Sequence, residues 1–165
     1  MQRTDKLLIG IVAGIVLVVA AAFATLLLRP PPAYAADDTP EHIVHNYLLA
    51  LQRQDYERAY SYLLPSLPGY PRSVADFSSH IINNLWEFEP DTQSSTFEID
   101  PAVVSGDSAT VAVHRRVFYE GGLLGSGNYV TTFSVRLQRA GPDRPWQMSH
   151  ADQFWHSCWS QSPNC

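Results

Sequence analysis

The stretch Leu7 to Leu28, LLIGIVAGIVLVVAAAFATLLL, runs 22 residues without a charge. At about 1.5 Å per residue, a helix of that length covers roughly 33 Å, the depth of a bilayer's hydrocarbon core. The first expectation is a membrane-spanning helix over residues 7–28, preceded by a short cytoplasmic N-terminus, 1–6. Ala33-Tyr34-Ala35 followed by Ala36 also offers small residues where a signal peptidase cuts, so the competing expectation is a domain secreted after cleavage near Ala35. Secretory apolar regions usually run about 7 to 15 residues, and this longer run favours the anchor. Arg3 and Lys6 precede the run, partly offset by Asp5, and Arg29 alone follows it before Pro30-Pro31-Pro32. The positive-inside bias then puts the N-terminus in the cytoplasm and the body of the chain outside it. Anchor and signal deliver that body to the same side.

Charge narrows the partners. Beyond Arg29 the chain has eight arginines and no lysine against fifteen carboxylates, a net charge of −7 with histidines neutral. That opposes nucleic-acid binding, which needs a basic footprint, and a polybasic grip on anionic lipid. The length of 165 residues leaves room for one globular domain. We expect a proline-rich linker over 29–38, the domain over 39–157 and a C-terminal tail over 158–165. Cys158 and Cys165 are the first and last residues of that tail. Outside the cytoplasm they are candidates for a small disulfide loop; two free thiols and intermolecular pairing are the alternatives.

Along the exported part, DDTP (Asp37–Pro40) is a helix-start signal, and Ile43, Val44, Tyr47, Leu48 and Leu51 follow at helical spacing. Asp55 is placed to cap a second helix whose apolar set is Tyr56, Ala59, Tyr60, Leu63 and Leu64, with Tyr62 pointing away. Ser73 opens a third, through about Leu85, with Val74, Phe77, Ile81 and Leu85 on its inner face. The period then changes. TFEID alternates up to Pro101, VVSGDSATVAV reads as a hairpin about Ser105-Gly106-Asp107, and a long strand runs from Ala109 to Tyr119. EGGLLGSGN turns the chain into YVTTFSVRLQR, and AGPDRP turns it into WQMSHADQFW. Three helices followed by about four strands predict an α+β domain with helices on one face of a curved antiparallel sheet.

PEHIVHNYLLALQRQDYERAYSYL, then a third helix and a meander ending in a Trp-led strand, resembles the nuclear-transport-factor-two-like, cystatin-like superfamily, in particular its small membrane-anchored bacterial members. The most specific part is YLLALQRQDYERAYSYL: a helix end, an acidic cap and a Tyr/Ala-rich second helix. The resemblance spans roughly Thr39 to Trp155 and implies a cone of sheet and helices. Enzymes of that superfamily, such as ketosteroid isomerases, dehydratases and epoxide hydrolases, work inside the cone with Asp, His, Tyr or Arg. No complete catalytic set of theirs can be matched position by position here.

Strand parity supplies the candidates. Trp146, Met148, His150 and Asp152 share one face of the last strand, and Val111, Val113, Arg115, Val117 and Tyr119 one face of the long one. Arg115, His150, Asp152, Tyr47 and Tyr60 are therefore the candidate pocket, suited to an acidic or polar ligand or to an acid–base pair. The plainer expectation is that His150 and Asp152, near a strand end where the cone opens, pair with each other or with a backbone group, and that Arg115 caps the same rim. His42 and His45 have two-ligand spacing but no third partner, and His150 and His156 lack spaced cysteines, so no metal and no cofactor is expected. GGLLGSG precedes a strand and has no lysine, so it is a turn and not a phosphate loop. Leu123 and Leu124 at its tip either tuck onto the sheet or touch a partner or bilayer. Trp155 and Trp159 either cover a sheet edge or core opening or form a contact surface.

The expected function is a single-pass, noncatalytic extracytoplasmic domain that binds protein or ligand. A narrower version makes it an accessory subunit of a membrane complex, since Gly10 and Gly14 give the spacing that lets a second helix approach. An isomerase-, dehydratase- or hydrolase-like enzyme with a pocket inside the cone is the third.

Overall fold

The computed structural model describes the backbone of residues 2–28, 32–88, 95–120 and 125–161, and their side chains except 2–9, 25–27, 120 and 126. Two compact units emerge, residues 1–33 and 34–165. The second begins at Tyr34, five residues before the expected boundary at Thr39.

The first unit is one helix, α1 (Gln2–Leu27). It is rich in good helix formers, carries no proline, and the Pro30–Pro32 run lies beyond its end. Every described side chain on it, from Gly10 to Ala24, is exposed. A helix that is apolar all round needs lipid or protein around it. Among the described residues no helix is long and apolar enough to cross a membrane. The fifteen described side chains cover about 22 Å, short of a ~30 Å hydrocarbon core. The flanks of the expected span, 7–9 and 25–27, have side chains outside the description.

In the second unit, α2 (Pro40–Gln52) starts as the sequence suggests. Thr39 accepts the His42 amide at 3.3 Å and Pro40 occupies the first turn. Ile43, Val44, Tyr47, Leu48 and Leu51 are buried as expected, and so are Asn46, Leu49 and Ala50, so α2 is covered on more than one side. Asp55 caps α3 (Tyr56–Ser61) through the Arg58 amide at 3.3 Å. The helix stops sooner than expected, because the chain after Ser61 is recruited by the sheet. Leu63 bridges Met148 in parallel, with Met148 N–H donating to Tyr62 O at 2.7 Å and Leu64 N–H to Met148 O at 2.9 Å. That bridge supplies an otherwise open edge, which would carry unpaired backbone groups. It also buries Tyr62, which was expected to point outward.

Ser73 caps α4 (Val74–Asn83), with Phe77 and Ile81 buried as expected. Asn84 leaves helical geometry at φ −130°, ψ 41°, and a separate turn, α5 (Leu85–Phe88), follows. The break shifts the helical phase, so Leu85, expected inside, is exposed.

The sheet is β1 (Ser95–Ile99), β2 (Val103–Ser105), β3 (Ser108–Glu120), β4 (Ser126–Gln138) and β5 (Gln147–Ala151), in the order β1-β3-β4-β5 with β2 also on β3. All the strand pairs are antiparallel. β1 and β2 lie one after the other along the same edge of β3, separated near Pro101 as the missing N–H predicts. Gly106, at φ +61°, makes the tight turn between β2 and β3. One sheet face presents Val111, Val113, Phe133, Val135, Leu137, Met148 and Ala151 to a core shared with Tyr47, Leu63, Phe77 and Trp159.

β5 breaks the simple alternation. Leu137 pairs with Met148 and Arg136 with His150, so Ser149 is an extra residue with no partner, a β-bulge. Beyond it the faces exchange: Met148 and Ala151 are buried, while Asp152 is exposed.

Candidate functional site

The bulge decides the fate of the expected pocket. His150 and Asp152 do not follow Trp146 and Met148 inward, because parity assumes an uninterrupted ladder and Ser149 interrupts it. Asp152 accepts the Ser134 amide at 3.0 Å and stands 3.4 Å from His150 Nε2. Tyr47 is fully buried and its O–H donates to the carbonyl of Phe154 at 2.7 Å; burial pushes its pKa far above the ordinary tyrosine value. Phe154 is held there in the left-handed region, at φ +56°. Tyr60 donates to Pro71 O at 3.0 Å and packs on Tyr70 and Phe77. Tyr47 and Arg115 both adjoin Phe154, while His150 is the candidate that lines a described cleft.

Arg115 behaves as parity predicted. Its strand neighbours Val111 and Val113 are fully buried, its cross-strand partners are Phe97 and Thr131, and its guanidinium stands 5.4 Å from the Phe154 ring centre. Phe97 and Phe133 meet Phe154 edge-on, so the cation borders an aromatic cluster. Its Nε is buried and has no hydrogen-bond partner among the described residues. A buried N–H without an acceptor is costly and uncommon.

His150 lies instead in a cleft of about 330 Å³ with Arg136, Ser108, Thr110, Ser149 and Ser160 among its walls. Ser160 Oγ accepts the Trp155 indole N–H at 2.8 Å and lies 3.1 Å from His150 Nδ1. Ser160, His150 and Asp152 therefore stand in a row, a juxtaposition sequence spacing did not reveal. A second cleft, about 290 Å³, is lined by Thr96, Glu98, Asp100, His114, Arg116 and Val130. There His114 bridges Asp100 Oδ2 at 3.0 Å and Thr132 Oγ1 at 2.9 Å.

The expected contact residues divide. Leu123, Leu124 and Cys165 lie outside the described residues, and so does the Cys158–Cys165 pair; among the described residues no cysteine is free. Trp155 and Trp159 are core, not contact surface. Trp159 stacks on Phe77 at 5.0 Å and meets Phe88 and Trp155 at 5.6 and 5.1 Å. This tail turn, residues 157–160, closes on Gly69, whose N–H donates to Trp159 O; a side chain at Gly69 would collide with the Cys158 carbonyl.

Two histidines complete that end. The Trp159 indole N–H donates to His80 Nδ1 at 3.0 Å, which fixes the neutral His80 proton on Nε2, 3.7 Å from Asp76 Oδ1. The His156 ring stacks on His80 at 4.7 Å, and its Nδ1 is buried without a partner among the described residues. Burial, then the His80 charge, lower the His156 pKa; Glu87 opposes them. His42 pairs with Asp38 at 2.7 Å. Among the described residues no group of three potential ligands is placed to hold a metal.

Sequence reasoning missed the polar strap at the other end. Buried Asn46 accepts the Ala35 amide at 2.8 Å and donates to Ala35 O at 2.9 Å and Asp37 Oδ1 at 2.6 Å. Tyr34 donates to Asp55 at 2.9 Å, and the Arg58 guanidinium sits 3.7 Å from its ring centre. Tyr62 donates to Asp37 at 2.8 Å and accepts from Arg58 Nε at 2.8 Å. The one available hint was a polar Asn46 beside the apolar stripe of α2.

No family model matches this chain, and no curated protein matches it. Solved structures similar to it include a SEC-C motif containing protein from Rhodopseudomonas palustris, at 14% identity and TM-score 0.45, covering 72% of this chain and 80% of that one. A nuclear-transport-factor-two-like protein from Shewanella oneidensis is similar at 10% identity and TM-score 0.42, over 66% and 90% of the two chains. A nuclear-transport-factor-two-like protein with a cystatin-like fold from Novosphingobium aromaticivorans is similar at 16% identity and TM-score 0.44, over 68% and 77%.

Proposed function

We propose that this chain is a membrane-anchored domain displayed outside the cytoplasm, which binds a carboxylate-bearing ligand or protein segment without transforming it. The observation that carries the binding role is Arg115, an inward-facing cation with a buried, unpartnered Nε beside Phe154. A guanidinium stays protonated at any working pH, so it suits anion recognition and not proton shuttling. The interior tyrosines are engaged elsewhere, Tyr47 by Phe154 and Tyr60 by Pro71.

The anchor reading is supported by the uncharged run Leu7–Leu28 and by the unbroken backbone of α1. Cleavage after Ala35 would remove Tyr34 from Arg58 and strip Ala35 from buried Asn46, which favours an uncut chain. The narrower role, a subunit of a membrane complex, draws support from Gly10 and Gly14, which have open space where a Cβ would stand.

The test is an arginine side-chain NMR titration of the full chain in micelles with benzoate, a carboxylate on an aromatic ring. Movement of the Arg115 Nε–H resonance, abolished in R115Q, is the expected result; an unmoved Arg115 resonance at saturating benzoate overturns it. Carbonate extraction of membranes checks the anchor, which fails if the protein is released.

One arrangement favours a second, enzymatic reading. In the row Ser160–His150–Asp152 the serine hydroxyl faces an imidazole nitrogen beside an open cleft, the order needed for attack on an ester. Turnover of a chromogenic acetate ester lost in S160A would support it, and equal rates in the two proteins would exclude it.

A further inference from the structure

Leu123 and Leu124, candidates for a contact surface, lie outside the described residues, and the tail tryptophans are buried; the described residues present an exposed apolar patch elsewhere. Where α4 breaks at Asn84, Ile82, Leu85 and Trp86 stand 54%, 43% and 80% exposed. The neighbours Ile81 and Phe88 are buried, which pins this segment to the core and holds the three apolar side chains outward. Of the four tryptophans in the chain, the other three, Trp146, Trp155 and Trp159, are at most 7% exposed. A large, rigid aromatic left in water beside two aliphatic side chains is unfavourable unless something covers it.

We infer that this patch seats in the lipid–water interface of the membrane that α1 enters. The inference rests on the anchor reading above. The length of the tether argues for lipid as the occupant. Only residues 29–33 separate the apolar run from the unit that begins at Tyr34, and five residues reach at most about 18 Å in any conformation. A domain on so short a tether stays within its own dimensions of the bilayer surface. Tryptophan with aliphatic neighbours is the side-chain set that prefers the headgroup boundary, where the ring is half in hydrocarbon and its N–H meets water. The net charge of −7 beyond Arg29 gives no attraction to anionic lipid, so the contact depends on apolar insertion. The bilayer would then limit how the domain turns about its tether.

The test uses the full chain in vesicles of phosphatidylcholine, with and without bromine on the acyl chains near the headgroup. Flotation with the vesicles reports the anchor, and tryptophan quenching reports the patch. Because the other three indoles are buried, the expected result is flotation together with loss of the exposed-tryptophan emission in brominated vesicles. That loss should be absent in W86F, which still floats, and weakened in L85S. Replacing part of the lipid by phosphatidylglycerol should not increase it. Flotation with unquenched Trp86 overturns the patch and spares the anchor. Emission that shifts with protein concentration and not with bromination overturns it in favour of a second copy. Failure to float overturns both.

Discussion

The two ends of the folded unit are fastened by opposite means. At the N-terminal end, Tyr34 to Asp38 are held by a polar web in which the buried amide of Asn46 meets three partners and Tyr62 both donates and accepts. At the C-terminal end, Trp159 is sunk among Phe77, Phe88 and Trp155, and its indole N–H donates to a histidine whose stacked neighbour carries a nitrogen with no partner among the described residues. The first fastening draws strength from satisfied hydrogen bonds, and the second from apolar area that tolerates one unsatisfied atom. They should respond differently to mutation and to acid.

The largest effect should come from removing the C-terminal plug. W159A empties a fully buried site and should destabilise the unit by about 3–5 kcal/mol in urea unfolding of the full chain in micelles. An effect below about 1 kcal/mol would mean that the tail is not part of the cooperative core. Next is N46A, which leaves the Ala35 amide and carbonyl without their partners at a cost of about 1–3 kcal/mol. Hydrogen exchange should show the Ala35 amide unprotected in that variant while β3 and β4 keep their protection. A strap that stays protected would show that Asn46 is dispensable.

Acid bears on the C-terminal end through His156. The folded His156 pKa lies below its usual 6.5, so the native state binds fewer protons than the unfolded chain. Its contribution is fully present above 6.5 and is lost as pH falls from there toward the folded pKa. Glu87 reduces the loss, and the His80 charge enlarges it. Thermal melts of H156F should show a shallower fall through this window than the parent protein; equal slopes would place the acid sensitivity elsewhere. The smallest change is expected for Y34F, about 1 kcal/mol, because the ring keeps its place against Arg58 and only the bond to Asp55 goes.

What could be read in the sequence was local. Thr39, Asp55 and Ser73 cap helices where a short polar side chain precedes an amphipathic run, and Gly106 turns the hairpin where only its own conformation is needed. Arg115 was also legible, since β3 keeps its alternation through Val111 and Val113. His150 and Asp152 were not, because a bulge at Ser149 leaves no mark in residue type and reverses every side chain after it. Leu85 was misplaced for a similar reason, a helical phase reset at Asn84. The strap and the His80–His156 stack join residues far apart in the chain through polar and ring contacts, to which hydrophobic periodicity is blind.

The grip of Asn46 on Ala35 has a mechanical consequence. Both hydrogen bonds that hold Ala35 end on one side chain in the interior of α2, with helical turns before and after it. Tension applied to the chain ahead of Tyr34 is therefore delivered to the middle of a helix and not to a fraying end.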